Sequence, residues 1–264
     1  MYYLRMAGVF VIIYVAICLI YYFIQELLIF HPKKLQQDFE FSYGDKAEEI
    51  FLENGSATIH GLYFPVENSK GLILYFHGNS GALDGWGYLG NKFNSIEYSV
   101  FVSDYRGYGK STGRLSEKNL YSDAQVIYDY FTGRCEDERI IIMGRSLGSA
   151  IAIELALQNS YEKLILESPF HSLTGMIKMF FNYLPHDLLL QYKFDSQSKI
   201  DKIPEPILIF HGTNDEVVPI ESARKLESRI QSKYHKFVEI EGGGHNNLSN
   251  FDVYNEELIK FLDK

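Results

Sequence analysis

Short apolar runs alternate with helical stretches along most of this chain, and that alternation restricts its fold more than any other feature. LILYFHG (72–78), SVFVSD (99–104), RIIIMG (139–144), KLILES (163–168) and PILIFHG (206–212) are brief and apolar throughout. Strands of this kind are buried on both faces, which parallel sheets achieve by covering themselves with crossover helices. Helical patterns at 82–95, 116–132, 147–158 and 220–231 provide the cover, and a strand at 236–241 and a helix at 251–263 finish the chain. Upstream, 47–53 and 57–66 flank Asn54-Gly55, a hairpin turn signal, and read as an antiparallel pair. The expectation is an α/β fold, a mostly parallel central sheet with helices on both faces, formed by residues 31–264 as one domain.

One interval breaks the rhythm. Residues 171–203 separate two strands and include MIKMFFNYL (176–184) and DLLLQYKF (187–194). A connection of this length is functional or disordered as a rule, and this one is too apolar for disorder. It is expected to form a short helical cap over the site, its two apolar stretches helical.

The first 30 residues are of another kind. Residues 6–24, MAGVFVIIYVAICLIYYFI, carry no charge. About 20 apolar residues cross a bilayer as a helix, and Tyr21, Tyr22 and Phe23 suit its interface. A signal peptide would have a shorter apolar region and a small-residue cleavage site, which does not follow Ile20. The segment 1–30 therefore reads as a single-pass membrane anchor. Arg5 on one side nearly balances Lys33 and Lys34 on the other, so the rule that sets orientation leaves it open. Twenty-five Lys and Arg against 34 Asp and Glu give a net charge of -9, which argues against a nucleic-acid partner. Two cysteines, Cys18 and Cys135, make no disulfide framework.

Gly144-Arg145-Ser146-Leu147-Gly148 matches G-x-S-x-G between a strand and a helix of small residues. That arrangement lifts a serine onto a sharp turn, with glycines removing Cβ clashes and the helix N-terminus favouring a developing anion. Ser146 is the expected nucleophile. A hydroxyl needs a base, and His245, in the loop GGGHNN beyond the last strand, is placed for it. His31, His60, His171, His186 and His235 are expected at the surface or in the cap. The base needs an acid to fix its tautomer, and Asp215 in HGTNDEVVP gives the order Ser, Asp, His. The oxyanion needs two N–H donors: Leu147 supplies one, and the second is assigned to the backbone of Asn79 in HGNSG. His77 and Gly78 are expected to shape that loop, and Asp104 and Arg106 to be structural.

With HGNSG (77–81), DYRGYGKS (104–111), GRSLGS (144–149), HGTNDEVVP (211–219) and GGGH (242–245) in this order, the chain resembles the α/β-hydrolase-fold serine hydrolases over about residues 70–245. The elbow, short cap and anchor ending in IFHP resemble a membrane-tethered subgroup with lysophospholipase-like, monoacylglycerol-lipase-like and protein-depalmitoylating members. The resemblance implies a Ser146–His245–Asp215 triad, no metal and no cofactor, and cleavage of an ester or thioester in a small-molecule, lipid or acylated substrate. The cap is shorter than in many lipases. An aminopeptidase or acyltransferase on the same fold, and a non-catalytic membrane-tethered scaffold, are the alternatives.

Overall fold

Eight strands form the central sheet of the computed structural model, which describes residues 2–43, 47–135 and 139–264. They are β1 Glu48–Asn54, β2 Ala57–Phe64, β3 Leu72–Phe76, β4 Ser99–Ser103, β5 Ile140–Arg145, β6 Lys163–Glu167, β7 Ile207–Gly212 and β8 His235–Ile240. Their spatial order is β1-β2-β4-β3-β5-β6-β7-β8. β3 to β8 run parallel, and β2 is antiparallel to both β1 and β4. The Asn54-Gly55 turn joins β1 to β2, with Gly55 at φ 64°.

The uniformly apolar strands divide their side chains between two cores. Leu72, Leu74 and Phe76 of β3 face one, with Ile140 and Ile142 of β5 and Leu164 and Leu166 of β6. Ile73, Tyr75, Ile141, Met143 and Ile165 face the other. This is why these runs do not alternate with polar residues: both pleat faces are interior. Helices α4 (Glu117–Arg134) and α5 (Leu147–Gln158) cover the first face, and α3 (Tyr88–Asn94) and α9 (Asp252–Leu262) the second. Ser116 caps α4 by accepting the Asn119 N–H at 3.1 Å.

The single helix expected over 82–95 is two, α2 (Leu83–Trp86) and α3. At the junction, Gly87 lies under the Tyr43 ring, where a Cβ would come within 2.2 Å of a ring carbon. The cap also departs from expectation in its second half. α6 (Leu173–Phe180) is helical, but α7 (His186–Leu189) is a single turn. The chain after it is extended because its amides are taken from outside. Gln191 N–H bonds Gln25 Oε1 at 2.8 Å, and Lys193 N–H bonds Glu117 Oε2 at 2.7 Å. Extension buries Tyr192 and Phe194. α8 (Ile220–Glu227) completes the crossover helices.

Helix α1 (Tyr2–Ile29) is the longest element. At 1.5 Å per residue its length is about 42 Å, and it is long and apolar enough to cross a membrane. Its first two-thirds stand clear of the sheet, while Gln25 and Ile29 are buried against the fold. The chain then runs directly into the fold, His31–Pro32 pairing in parallel with Ser80–Gly81.

Candidate active site

The sheet's connection order reverses at β3, which lies between β4 and β5. In open α/β sheets, ligands bind beyond the carboxyl ends of the strands at such a switch point. The loop after β3 carries Asn79, and the turn after β5 carries Ser146.

Ser146 is held at φ 50°, ψ −116°, a conformation costly for a residue with a Cβ. Its neighbours fix it. Ser146 N–H donates to Glu167 O at 2.8 Å, and its carbonyl accepts from Ser149 N–H at 3.0 Å and Ser149 Oγ at 2.6 Å. The glycines are a steric demand of the turn: a Cβ on Gly148 would lie 2.0 Å from Phe76 O, and one on Gly144 2.3 Å from Gly148 O. α5 begins at Leu147, so its N-terminus faces the serine.

Asp215 and His245 meet at the far end of the same strand edge. His245 Nδ1 lies 2.8 Å from Asp215 Oδ2. Asp215 Oδ1 accepts the N–H groups of Val217 and Val218 at 2.9 and 2.8 Å, and His211 Nε2 stands 3.5 Å from Oδ2. Burial raises the affinity of this carboxyl for a proton. The hydrogen bond and charge of His245 and the Val218 amide outweigh that, and Asp215 sits below the ordinary carboxylate value. An ionised Asp215 holds a proton on Nδ1 and leaves Nε2 as the basic nitrogen. Among the described residues Ser146 Oγ makes no hydrogen bond. Bonds between nucleophile and base are often long until substrate is bound.

Asn79 is locked on three sides. Its carbonyl accepts from His31 N–H at 2.9 Å and Tyr108 Oη at 2.7 Å, and its side-chain Nδ2 donates to Ile29 O at 2.6 Å. Among the described residues no hydrogen bond uses the backbone N–H of Asn79 or of Leu147. Both remain open to an incoming acceptor. Under the loop, His77 is fully buried, stacked on Trp86, and kept near neutrality by burial against the opposing charge of Asp104. A Cβ on Gly109 would collide with the Asp104 carboxylate. Arg106 forms a bidentate pair with Asp123 at 2.7 and 2.8 Å.

Ser146, Leu147 and Asn79 line one cavity of about 520 Å³. The rest of its wall is mainly apolar, including Leu28, Phe170, Leu173, Ile177 and Phe181. Among the described residues no acidic side chain lines it. A larger depression of about 780 Å³, between Arg114, Glu154 and Gln191, holds none of the expected site residues.

Three features of the site lie outside the sequence expectation. Arg145, the variable residue of G-x-S-x-G, donates through Nη2 to His245 O at 2.8 Å and to Asn246 Oδ1 at 2.6 Å, and covers the Trp86 ring. A cation beside Ser146 was the available signal. Glu167, the one acid in an apolar strand, accepts from the hydroxyls of Tyr75 and Tyr254 beneath the elbow. The third is that α1 lines the cavity through Tyr21, Gln25, Leu28 and Ile29. Of the other histidines, His60 is fully buried rather than superficial, between Phe41 and Phe51 and 2.9 Å from Glu49. His31 lines the cavity, and His171 is buried on Ser222.

The family described as serine aminopeptidase, S33, matches residues 67–198, a span that includes Asn79, Ser146 and Leu147 and ends before Asp215 and His245. The chain is 34% identical over 205 residues to the alpha/beta hydrolase domain-containing protein 17B of Homo sapiens, covering 75% of this chain and 68% of that protein. It is 32% identical over 208 residues to an uncharacterized protein of Mycobacterium tuberculosis, covering 76% and 74%. Among solved structures, an esterase of Pyrococcus furiosus superposes with a TM-score of 0.70 at 16% identity, over 89% of this chain and 97% of that one. A soluble variant of monoglyceride lipase from Saccharomyces cerevisiae gives 0.66 at 17%, over 85% and 98%. These two likenesses are of fold.

Proposed function

Because the chain belongs to the α/β-hydrolase family, we propose that it is a membrane-anchored serine hydrolase that cleaves a carboxylic ester or thioester bearing an acyl chain. The observation that carries this reading is the mainly apolar cavity shared by Ser146, Leu147 and Asn79. In the proposed reaction His245 Nε2 takes the Ser146 proton as Oγ attacks the acyl carbonyl. The amides of Leu147 and Asn79 receive the oxyanion. His245 then protonates the leaving alcohol or thiol, which departs as the acyl-enzyme forms. Water, giving a proton to His245, attacks the acyl-enzyme carbonyl, and His245 passes that proton to Ser146 Oγ as the acid leaves. Asp215 stays ionised and steadies the imidazolium.

The matched family is named for an aminopeptidase, which must hold its substrate's ammonium. A cation in an apolar chamber is costly unless paired, and this chamber offers no carboxylate among its described lining. The acyl-ester reading is the better fit to that wall. α1 is read as the membrane span that brings the chamber to lipid.

Fluorophosphonate labelling of the full chain tests the nucleophile. The wild type is expected to label and Ser146→Ala to label at least a hundredfold less, alongside turnover of a panel of acyl esters and thioesters. Equal labelling of both would overturn the assignment.

A further inference from the structure

The junction between α1 and the sheet domain is built as part of the site. Gln25 Oε1 accepts from the Gln191 amide, Glu26 Oε1 accepts from Tyr192 Oη at 2.7 Å, and Ile29 O accepts from the Asn79 side chain. Just beyond, Lys33 N–H bonds Gly81 O at 3.0 Å, on the far side of the Asn79 loop. The last two turns of α1 are thus tied to both the cap and the loop beside Ser146. Between those ties Tyr21, Gln25, Leu28 and Ile29 form a wall of the cavity, and Met176, Ile177 and Phe181 of the cap form another.

The cap also follows α1 away from the sheet. Tyr21 Oη lies 3.1 Å from His186 Nδ1, and Tyr14 Oη donates to Tyr183 O at 3.2 Å. Tyr14 precedes Ile29 by half the helix, about 22 Å along its axis. The cap tip therefore stands beside the middle of a helix whose free surface is apolar all round. Its own outer side chains match that surface: Phe180, Phe181, Tyr183 and Leu188 are exposed. Exposed apolar groups next to a spanning helix are covered by the hydrocarbon that covers the helix.

We propose that the last two turns of α1 and the cap together form an acyl-chain site that opens into the bilayer, so that the chain reaches Ser146 from the lipid rather than from water. The proposal rests on the reading of the cavity as the acyl site and names its substrate as an ester whose chain already lies in the membrane. Leu28 is the gauge residue of the site, since it lines the chamber on one helix face.

The test uses the full chain in phosphatidylcholine vesicles, in the Ser146→Ala background to prevent turnover. The probe is a monoacylglycerol whose hexadecanoyl chain ends in a diazirine, and the readout is the yield of photoadducts at Phe170 and Leu173, inside the chamber. Adducts are expected there. Adding Leu28→Trp, which fills the chamber, should lower them at least fivefold, and Leu28→Ala should keep them at or above the starting level. Absence of adducts at Phe170 and Leu173, or equal yields in both Leu28 variants, would overturn the proposal. Adducts that follow the expected order in a protein without Ser146-dependent ester turnover would support this site and reject the proposed reaction.

Discussion

Arg145 connects the two halves of the candidate triad through the backbone. It is the last residue of β5, directly before Ser146, and holds the carbonyl of His245 itself, so the Ser146 turn and the His245 loop share one guanidinium. The contact is independent of substrate, because Arg145 does not line the cavity. Its loss should loosen the histidine without altering acyl binding. Misplacing a catalytic group by about 1 Å can cost about a hundredfold in rate. For Arg145→Ala we expect kcat on a short acyl ester to fall about 10–100-fold with KM changed less than about twofold. Arg145→Lys, which keeps the charge and N–H donors but loses the planar guanidinium, should recover part of the loss. Steady-state kinetics in detergent would check this, and a change confined to KM would contradict it. Asp215 plays a more local part: two amides and His245 hold it ionised, and its position owes nothing to the cap.

At the level of elements, the crossing of α5 over β3 is a tight fit beside the site. Gly148 touches the backbone at Phe76, with no room for a methyl group. Forcing one in costs about 1–3 kcal/mol in a packed interior. At about 2–4 °C per kcal/mol for a domain of this size, Gly148→Ala should lower Tm by roughly 2–12 °C and cut fluorophosphonate labelling. A calorimetric scan with an unchanged Tm would show that the two elements can separate. The same contact explains why this part was legible from sequence. G-x-S-x-G encodes a steric requirement between neighbours in the chain, and so does Asn54-Gly55 at the hairpin. The pairing of His245 with Asp215 was legible for another reason: both follow parallel strands whose ends the fold gathers at one edge. Less local facts were hidden. DLLLQYKF has helical composition, yet the Gln25 and Glu117 side chains capture its amides and draw it out straight. Those partners lie 166 and 76 residues away, beyond any window of periodicity. His60 was misplaced for a related reason, since the aromatic box that buries it is assembled from Phe41 and Phe51 on separate segments.

Across the whole molecule, the apolar helix and the α/β body behave as one construction. The N-terminal run could be recognised from composition, but its share in the cavity could not, because Leu28 and Ile29 look like any other anchor residues until the fold sets them over Ser146. We expect the full chain to remain with membranes after carbonate at pH 11, as an integral span does. Release of intact protein into the supernatant would show that α1 does not cross the bilayer.

Only Phe30 separates the end of α1 from the His31–Pro32 pairing with Ser80–Gly81 beside Asn79, so the tether has no slack. On the membrane-spanning reading, an enzyme held this closely cannot sweep a volume of solvent. It searches in two dimensions, meeting its substrate by lateral diffusion. Its rate should then follow the mole fraction of substrate in the surface. Diluting the vesicles would leave turnover unchanged, while diluting the substrate with inert lipid would slow it.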